Sequence, residues 1–430
     1  MTNIKRRDFI KLVGGTTAVS MFGFPALVLG ASRKVVVVGG GVGGCTVSKY
    51  LRKLDPSIEV TLVTDKDKYA TCFLSNEVLG GDRAMESITH GYDGLKKQGV
   101  EILIDRVVNV DPAKKAVQTA GGKTLNFDAC VVSPGVDFKW ETIDGYDQKV
   151  AESIPHAWFA GPQTMTLRKQ IEAMPAGGTV VIAAPPNPFK CPPGPYERAS
   201  QIAMYCKQHK PKAKIVILDP KPKFSKQKLF IQGWTDLYGY GTDNSMIEWV
   251  SGDSGGAVTA VDAANKTLTC AAGKFKGDVV NVIPAQKAGK VAFDSDLVDG
   301  EWCPVDKKTF ESKKHAGIYV LGDASDSAKM PKSAYAANSQ AKVCAAAIAD
   351  RLNGREPGDT TYVNTCYSIV GEDYGISVAA VYQLDAANNM IESIKGSGGV
   401  SPMDAGPEIR KREVAYAHSW YNNLIDDMMM

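Results

Sequence analysis

The stretch Arg33-Lys-Val-Val-Val-Val-Gly-Gly-Gly-Val-Gly-Gly44 decides how this chain is read. Four consecutive valines predict a strand buried on both faces, as in a parallel sheet. Gly39, Gly41 and Gly44 then supply G-x-G-x-x-G. A helical pattern follows through Tyr50 and Leu51, and a second strand, Ile58-Glu-Val-Thr-Leu-Val63, runs to Asp65. Each part has a physical task. Gly39 permits the tight turn, Gly41 lets a pyrophosphate approach the backbone, and Gly44 lets helix and strand pack closely. The helix N-terminus favours an anion, and Asp65 is spaced to bind a ribose hydroxyl. A glycine motif alone is weak; strand, helix, second strand and acid in this order make it specific.

Outward from that unit, Lys96–Asn109 and Lys123–Ser133 predict further strand regions, with Asp111-Pro112 and Gly121-Gly122 as turns. Phe127-Asp-Ala-Cys-Val-Val-Ser-Pro-Gly135 reads as a buried strand ending in a small-residue turn at Gly135. A second α/β unit begins near Pro175, with strand Thr179–Ala184, helix Tyr196–Lys207 and strand Lys214–Asp219. Gly317-Ile-Tyr-Val-Leu-Gly-Asp323 is another strand with an acid at its carboxyl end. From Tyr362 the character changes: Gly375–Leu384 and Asn388–Lys395 predict a hairpin, Gly396–Gly399 a linker, and Glu408–Met428 a helix.

The 430 residues, 44% hydrophobic, suffice for two or three domains. Lys5, Arg6, Arg7 and Lys11 against Asp8 account for the formal charge of +3, so the rest is near neutral and offers no footprint for nucleic acid or an anionic membrane. The basic run Lys221–Lys228 reads as solvated surface. Lys5-Arg-Arg-Asp-Phe-Ile-Lys11, followed by a mild apolar stretch to Leu29, resembles a twin-arginine export signal. It predicts a signal peptide over 1–30, a periplasmic mature chain and no transmembrane anchor in it. Disulfides persist in that compartment. None of the nine cysteines has C-x-x-C spacing, which argues against a zinc ribbon, a thioredoxin motif or haem attachment, and no metal site is expected. Cys45, Cys130 and Cys344 sit in apolar patterns as core residues. Gly252-Asp-Ser-Gly-Gly256 matches the string around a serine-protease nucleophile, but turn-forming residues explain it better in an α/β chain.

Three segments, Gly39–Gly44, Val131–Gly135 and Gly317–Asp323, resemble the fingerprint of two-dinucleotide-domain flavoproteins. The expected fold is α/β: two Rossmann-like dinucleotide-binding domains plus a C-terminal α+β interface domain. The expected bounds are 31–144 with 286–357 for the FAD-binding domain, 145–285 for the second Rossmann-like domain, and 358–430 for the interface domain. In this resemblance Gly322-Asp323 holds the flavin ribityl chain, and a helix from near Ser333 points its N-terminal dipole at the ring; a helix cap is the simpler role for Asp323 alone. The second unit runs into Pro185-Pro-Asn-Pro-Phe-Lys-Cys-Pro-Pro-Gly-Pro195 where a nicotinamide domain needs glycines. Prolines remove amide donors, so no NAD site is expected there. The same loop holds Cys191 in a rigid, exposed setting. Its partner must come from far away, with Cys366 the first choice and Cys206 the competitor.

The chain resembles the flavoprotein subunit of flavocytochrome c sulfide dehydrogenase, a relative of sulfide:quinone oxidoreductases, through Tyr69–Asn76, Asn187–Ser200 and Val363–Tyr367. The resemblance implies that Cys72 carries covalently attached FAD through the flavin 8-methyl group, with Glu77 standing where disulfide reductases keep a second cysteine. It implies that Cys191 and Cys366 form a redox disulfide, that Glu197 is an active-site carboxylate, and that Thr365 and Trp420 lie near the route to a haem. Lys190 and Arg198 are placed to stabilise anionic sulfur, with surface charge the simpler reading; a solvated acid for Glu197 and ordinary packing for Trp420 are the competing readings. Hydrosulfide would attack one sulfur of the disulfide, and two electrons would pass to the flavin and then to a c-type cytochrome subunit. Which cysteine takes the sulfide stays open. A sulfide:quinone oxidoreductase and a non-catalytic flavin-binding interaction protein are the alternatives.

Overall fold

The computed structural model describes residues 33–430, so the predicted export signal lies outside the described residues. Along the chain come β1 (Lys34–Val38), α1 (Val42–Leu54), β2 (Glu59–Thr64), α2 (Ser75–Gly80), β3 (Val100–Ile104) and β4 (Ala129–Val132). There follow β5 (Thr179–Ala183), α3 (Gly194–His209), β6 (Lys214–Leu218), α4 (Gln227–Tyr238), β7 (Ile247–Val250) and β8 (Val279–Val282). The chain then forms β9 (Ile318–Val320), α5 (Ala334–Leu352), β10 (Thr361–Gly371), β11 (Tyr374–Asp385), β12 (Met390–Ser393) and α6 (Pro407–Met429).

The valine run is the centre of a five-stranded parallel sheet, ordered β9-β4-β1-β2-β3. Val35–Val38 pair with Val60–Val63 on one side and with Ala129–Val132 on the other. All four valines are buried, which is why the pattern is continuous and not alternating. The strand order reverses beside β1, and ligands of open α/β sheets bind at such a switch point. A second parallel sheet, β7-β6-β5-β8, repeats the plan around Val180–Ala183. The fold is therefore mixed α/β with two dinucleotide-binding sheets, as expected.

The C-terminal part is antiparallel. The predicted hairpin is β11–β12, and β10, a strand the sequence pattern did not reveal, pairs along the length of β11. The predicted linker contributes a short edge strand, since Gly399 and Val400 pair with Ala379 and Val378. Helix α6 buries Tyr421, Leu424, Ile425, Met428 and Met429 in the core shared with β1 and α1. This brings the C-terminal helix over the first sheet's crevice. Gly252–Ser254 is a single 3-10 turn with Ser254 exposed and bonded to Ser251, a turn and nothing more.

Candidate functional site

One cavity opens at the switch point, and most of the residues singled out in the sequence line it. Gly39–Gly43, Asp65, Cys72, Gly135, Gly322 and Asp323 form one side, and Cys191, Glu197, Cys366 and Trp420 come from other elements. The glycines divide the work by geometry. At Gly39 φ is +106°, and a Cβ would stand 2.3 Å from the Ser133 carbonyl oxygen. At Gly44 a Cβ would stand 1.8 Å from the Gly39 carbonyl oxygen. At Gly41 the nearest atoms are the Tyr69 ring, 3.8 Å and beyond. Gly135 and Gly322 also hold positive φ, +66° and +75°. Asp65 lies exposed at the rim.

A flavin dinucleotide fits this lining on three observations. Asp323 Oδ1 is buried with no hydrogen-bond partner, an arrangement that costs free energy until a donor arrives. Helix α1 starts at Gly41 with no side-chain cap, leaving its first amides to an anion. The space above Gly41 is open. Burial pushes the Asp323 carboxyl up, against the pull of Lys190 and Lys332. Ser333 caps α5 by accepting from the Ala336 amide, so this helix begins at the cavity wall as predicted.

The sulfur side is built from distant segments. Cys191 sits on the proline loop with φ +59°, and its amide donates to the Lys332 carbonyl at 2.8 Å. The predicted exposure is wrong: Cys191 is half-buried inside the cavity because the loop folds inward. Cys366, on β10, is also half-buried, with Asn364 Nδ2 3.5 Å from its sulfur. Cys206 is buried on α3 and does not line the cavity. Burial raises the thiol pKa of Cys191 and Cys366 alike; the Lys190 ammonium opposes the rise at Cys191, and the Lys226 ammonium with hydrogen bonds from Asn364 and Ser333 opposes it at Cys366. Cys45, Cys130 and Cys344 are core thiols.

Glu197 stands at the cavity as an active-site carboxylate should, and four charges read as surface are bonded within the protein: Arg198, Lys190 and, from the basic run, Lys226 and Lys221, the last 6% exposed and paired with Asp219. Glu197 accepts from Asn76 Nδ2 at 3.0 Å and from the Ile369 amide at 2.9 Å, and burial raises its pKa. Arg198 is 1% exposed, and its guanidinium donates to Asn76 Oδ1, Asn281 Oδ1 and the carbonyls of His156 and Ala157. Lys190 Nζ lies 3.1 Å from Cys72 Sγ. Lys226, inside the basic run, donates to Ser368 Oγ at 2.8 Å, and burial lowers its pKa. The partners stand far away in sequence, so local charge patterning could not reveal them. Trp420 lines the cavity and packs edge-on to Phe73 at 5.7 Å and beside Tyr335 at 6.0 Å. Thr365 is outside the lining. Glu77 is tied up by Arg83 Nε at 2.5 Å and His418 Nε2 at 2.6 Å.

A flavoprotein with two dinucleotide-binding sheets and cysteines around its cofactor crevice is the class this architecture defines. Three family descriptions match successive parts of the chain: pyridine nucleotide-disulphide oxidoreductase over 33–158, the central part of the sulfide dehydrogenase [flavocytochrome c] flavoprotein chain over 164–284, and flavocytochrome c sulphide dehydrogenase, flavin-binding, over 358–429. The sulfide dehydrogenase [flavocytochrome c] flavoprotein chain of Chlorobaculum thiosulfatiphilum is 62% identical over 47 residues, 11% of this chain and 98% of that sequence. The mitochondrial sulfide:quinone oxidoreductase of Dictyostelium discoideum is 24% identical over 368 residues, covering 80% of this chain and 78% of the relative. The sulfide:quinone oxidoreductase structure from Aquifex aeolicus superposes with a TM-score of 0.71 at 19% identity, covering 92% of each chain. The chain belongs to the flavoprotein family that joins flavocytochrome c sulfide dehydrogenases with sulfide:quinone oxidoreductases. Among the described residues, no helix is long and apolar enough to cross a membrane.

Proposed function

We propose that this protein is the sulfide-oxidising flavoprotein of a flavocytochrome c, working through a Cys191–Cys366 disulfide and FAD linked to Cys72, and that it hands its electrons to a c-type cytochrome subunit. The supporting observation is convergence. Cys72, Cys191 and Cys366 come from three distant segments and face one cavity, beside the unpartnered Asp323 carboxylate. The reading divides the chain into a flavin domain (31–144 and 286–357), a second Rossmann-like domain (145–285) and an interface domain (358–430), preceded by a signal for periplasmic export.

Gly39, Gly41 and Gly135 would line the dinucleotide, with Gly44 letting α1 pack against the turn beneath it, Asp65 would hold its ribose, and Gly322 with Asp323 its ribityl chain. Bound FAD supplies a two-electron acceptor beside the sulfur pair and returns electrons singly. Hydrosulfide attacks one sulfur of the disulfide; the S–S bond breaks, one cysteine becomes a persulfide and the other leaves as thiolate. Charge on the leaving sulfur is favoured at Cys366 by Lys226, Asn364 and Ser333 and at Cys191 by Lys190. Glu197, buried between Asn76 and Ile369, is the carboxyl group on the same cavity wall as both sulfurs. The chain contains no C-x-x-C-H, so a covalent c-type haem must sit on a partner.

The test is bleaching of the flavin absorbance under anaerobic hydrosulfide. Cys191→Ser and Cys366→Ser should each slow it by orders of magnitude at unchanged flavin content; bleaching at the parental rate overturns the disulfide role. Likeness to sulfide:quinone oxidoreductases makes a quinone the rival acceptor, and reduction of a soluble quinone in preference to cytochrome c would select it.

A further inference from the structure

Lys190 is adjacent to Cys191, yet its side chain serves a sulfur 118 residues away. Its Nζ lies 3.1 Å from Cys72 Sγ and also donates to the Trp158 carbonyl at 3.0 Å. It sits 4.8 Å from the centre of the Phe159 ring. A carbonyl and a ring face orient the ammonium without neutralising it. The backbone is fixed too, since the Lys190 amide donates to Gln286 Oε1 at 2.9 Å. The carbonyl that aims it belongs to the segment His156–Trp158, held from beneath by buried Arg198 through His156 and Ala157. Lys190 and Cys72 both line the cavity. A mobile surface lysine has none of these constraints.

We propose that Lys190 is a catalytic residue for joining the flavin to Cys72: its ammonium holds the Cys72 sulfur as the nucleophile that bonds to the 8-methyl carbon. The inference rests on the reading that FAD is covalent at Cys72. A cysteine attacks through its sulfur as the thiolate, and a cation donating to that sulfur stabilises the charge it carries as the new bond forms. The balance is complete. Cys72 gives up its thiol proton, Sγ bonds to the methyl carbon, and that carbon loses one hydrogen. The two hydrogens and their electrons end on the ring, which leaves the flavin reduced. Dioxygen, or the enzyme's own one-electron acceptor, reoxidises it. Lys190 gains and loses no proton; it stabilises charge on Sγ while the bond forms.

The experiment compares the parent with Lys190→Met and Lys190→Arg, sampled through the hours after induction. Total flavin per chain is measured by absorbance. The covalent share is the flavin that stays with acid-precipitated protein, and mass spectrometry of the Cys72 peptide locates it. Lys190→Met should keep its total flavin while the covalent share accumulates at least about tenfold more slowly, the factor one charge-assisted hydrogen bond carries. Lys190→Arg should recover most of the rate. Equal covalent shares in Lys190→Met and parent overturn the inference, as does a loss of total flavin that Lys190→Arg fails to rescue, which marks a structural role. An unmodified Cys72 peptide in the parent overturns the covalent reading itself, and is distinct from both.

Discussion

Gly41 and Gly44 belong to one motif, and the structure separates what each is for. A methyl at position 44 would point at the Gly39 carbonyl oxygen from 1.8 Å and at its carbon from 3.0 Å. Both are backbone atoms of the turn that leaves β1, so no rotamer change relieves the clash. Helix α1 must lift off, and its buried face, including Cys45, Val47 and Leu51, goes with it. Overpacking of this kind costs about 1–3 kcal/mol, more where backbone blocks relaxation. A methyl at position 41 meets nothing closer than the Tyr69 ring at 3.8 Å. The residue has φ −88°, which alanine adopts freely, and its loss as a helix cap costs below about 1 kcal/mol. The methyl does stand where a pyrophosphate has to approach the α1 amides. Losing one charge-assisted hydrogen bond there costs about 1.5–3 kcal/mol of binding, roughly a tenfold to hundredfold loss of affinity. Gly41→Ala should therefore keep the parental far-ultraviolet dichroism while flavin per chain falls, and Gly44→Ala should lower the urea midpoint. Full flavin content in Gly41→Ala, or equal urea midpoints for Gly44→Ala and the parent, would refute this assignment.

Arg198 is a buried cation with four neutral acceptors, so Arg198→Met should destabilise by about 1–3 kcal/mol for each acceptor left unpaired, and Arg198→Lys should not restore it because an ammonium cannot reproduce the planar fork; urea midpoints of the three proteins decide. Burial raises the Glu197 pKa in the folded chain, so its stabilising share is present in acid and is lost as pH rises through the folded pKa. Glu197→Gln should flatten that part of the stability–pH profile and slow sulfide-dependent bleaching, and an unchanged profile above the ordinary carboxylate range counts against it.

The fold was legible because its signals are local. Four valines, three glycines and an acid fall within some thirty residues, and each acts on a neighbour. Helix α6 was legible for the same reason, since its apolar positions recur on one face. The site was legible only where a residue announces itself by its own strangeness, as Cys191 does between prolines. What stayed hidden depends on acceptors brought from elsewhere. Arg198 looks like a surface charge until Asn76, His156 and Asn281 surround it. Lys226 looks like one residue of a basic run until β10 lays Ser368 against it. Strand β10 itself was obscured because its polar members, Asn364 and Ser368, are buried against partners from other elements, which breaks the alternation that marks a half-buried strand.

The second sheet repeats the plan of the first but uses its acid differently. Asp219 follows β6 as Asp65 follows β2, but Asp65 is exposed at the cavity rim and Asp219 is wholly buried. Asp219 accepts from the Tyr196 hydroxyl at 2.6 Å, Trp249 Nε1 at 3.0 Å and the Lys221 amide at 3.0 Å, and pairs with Lys221 Nζ at 2.7 Å. Tyr196 is stacked on Phe224 with ring centres 3.6 Å apart. A nicotinamide nucleotide arriving here would have to break a buried ion pair and an aromatic stack before finding a ribose acceptor. The same atoms do other work. Lys221 Nζ donates to the Pro185 carbonyl at 2.5 Å, at the start of the proline loop, while the Cys191 amide is held by Lys332 near its end. The acid after β6 anchors, through one lysine, the loop that presents Cys191. The loop that presents Cys191 is thus held at one end by the second sheet, through Asp219 and Lys221, and near the other by Lys332.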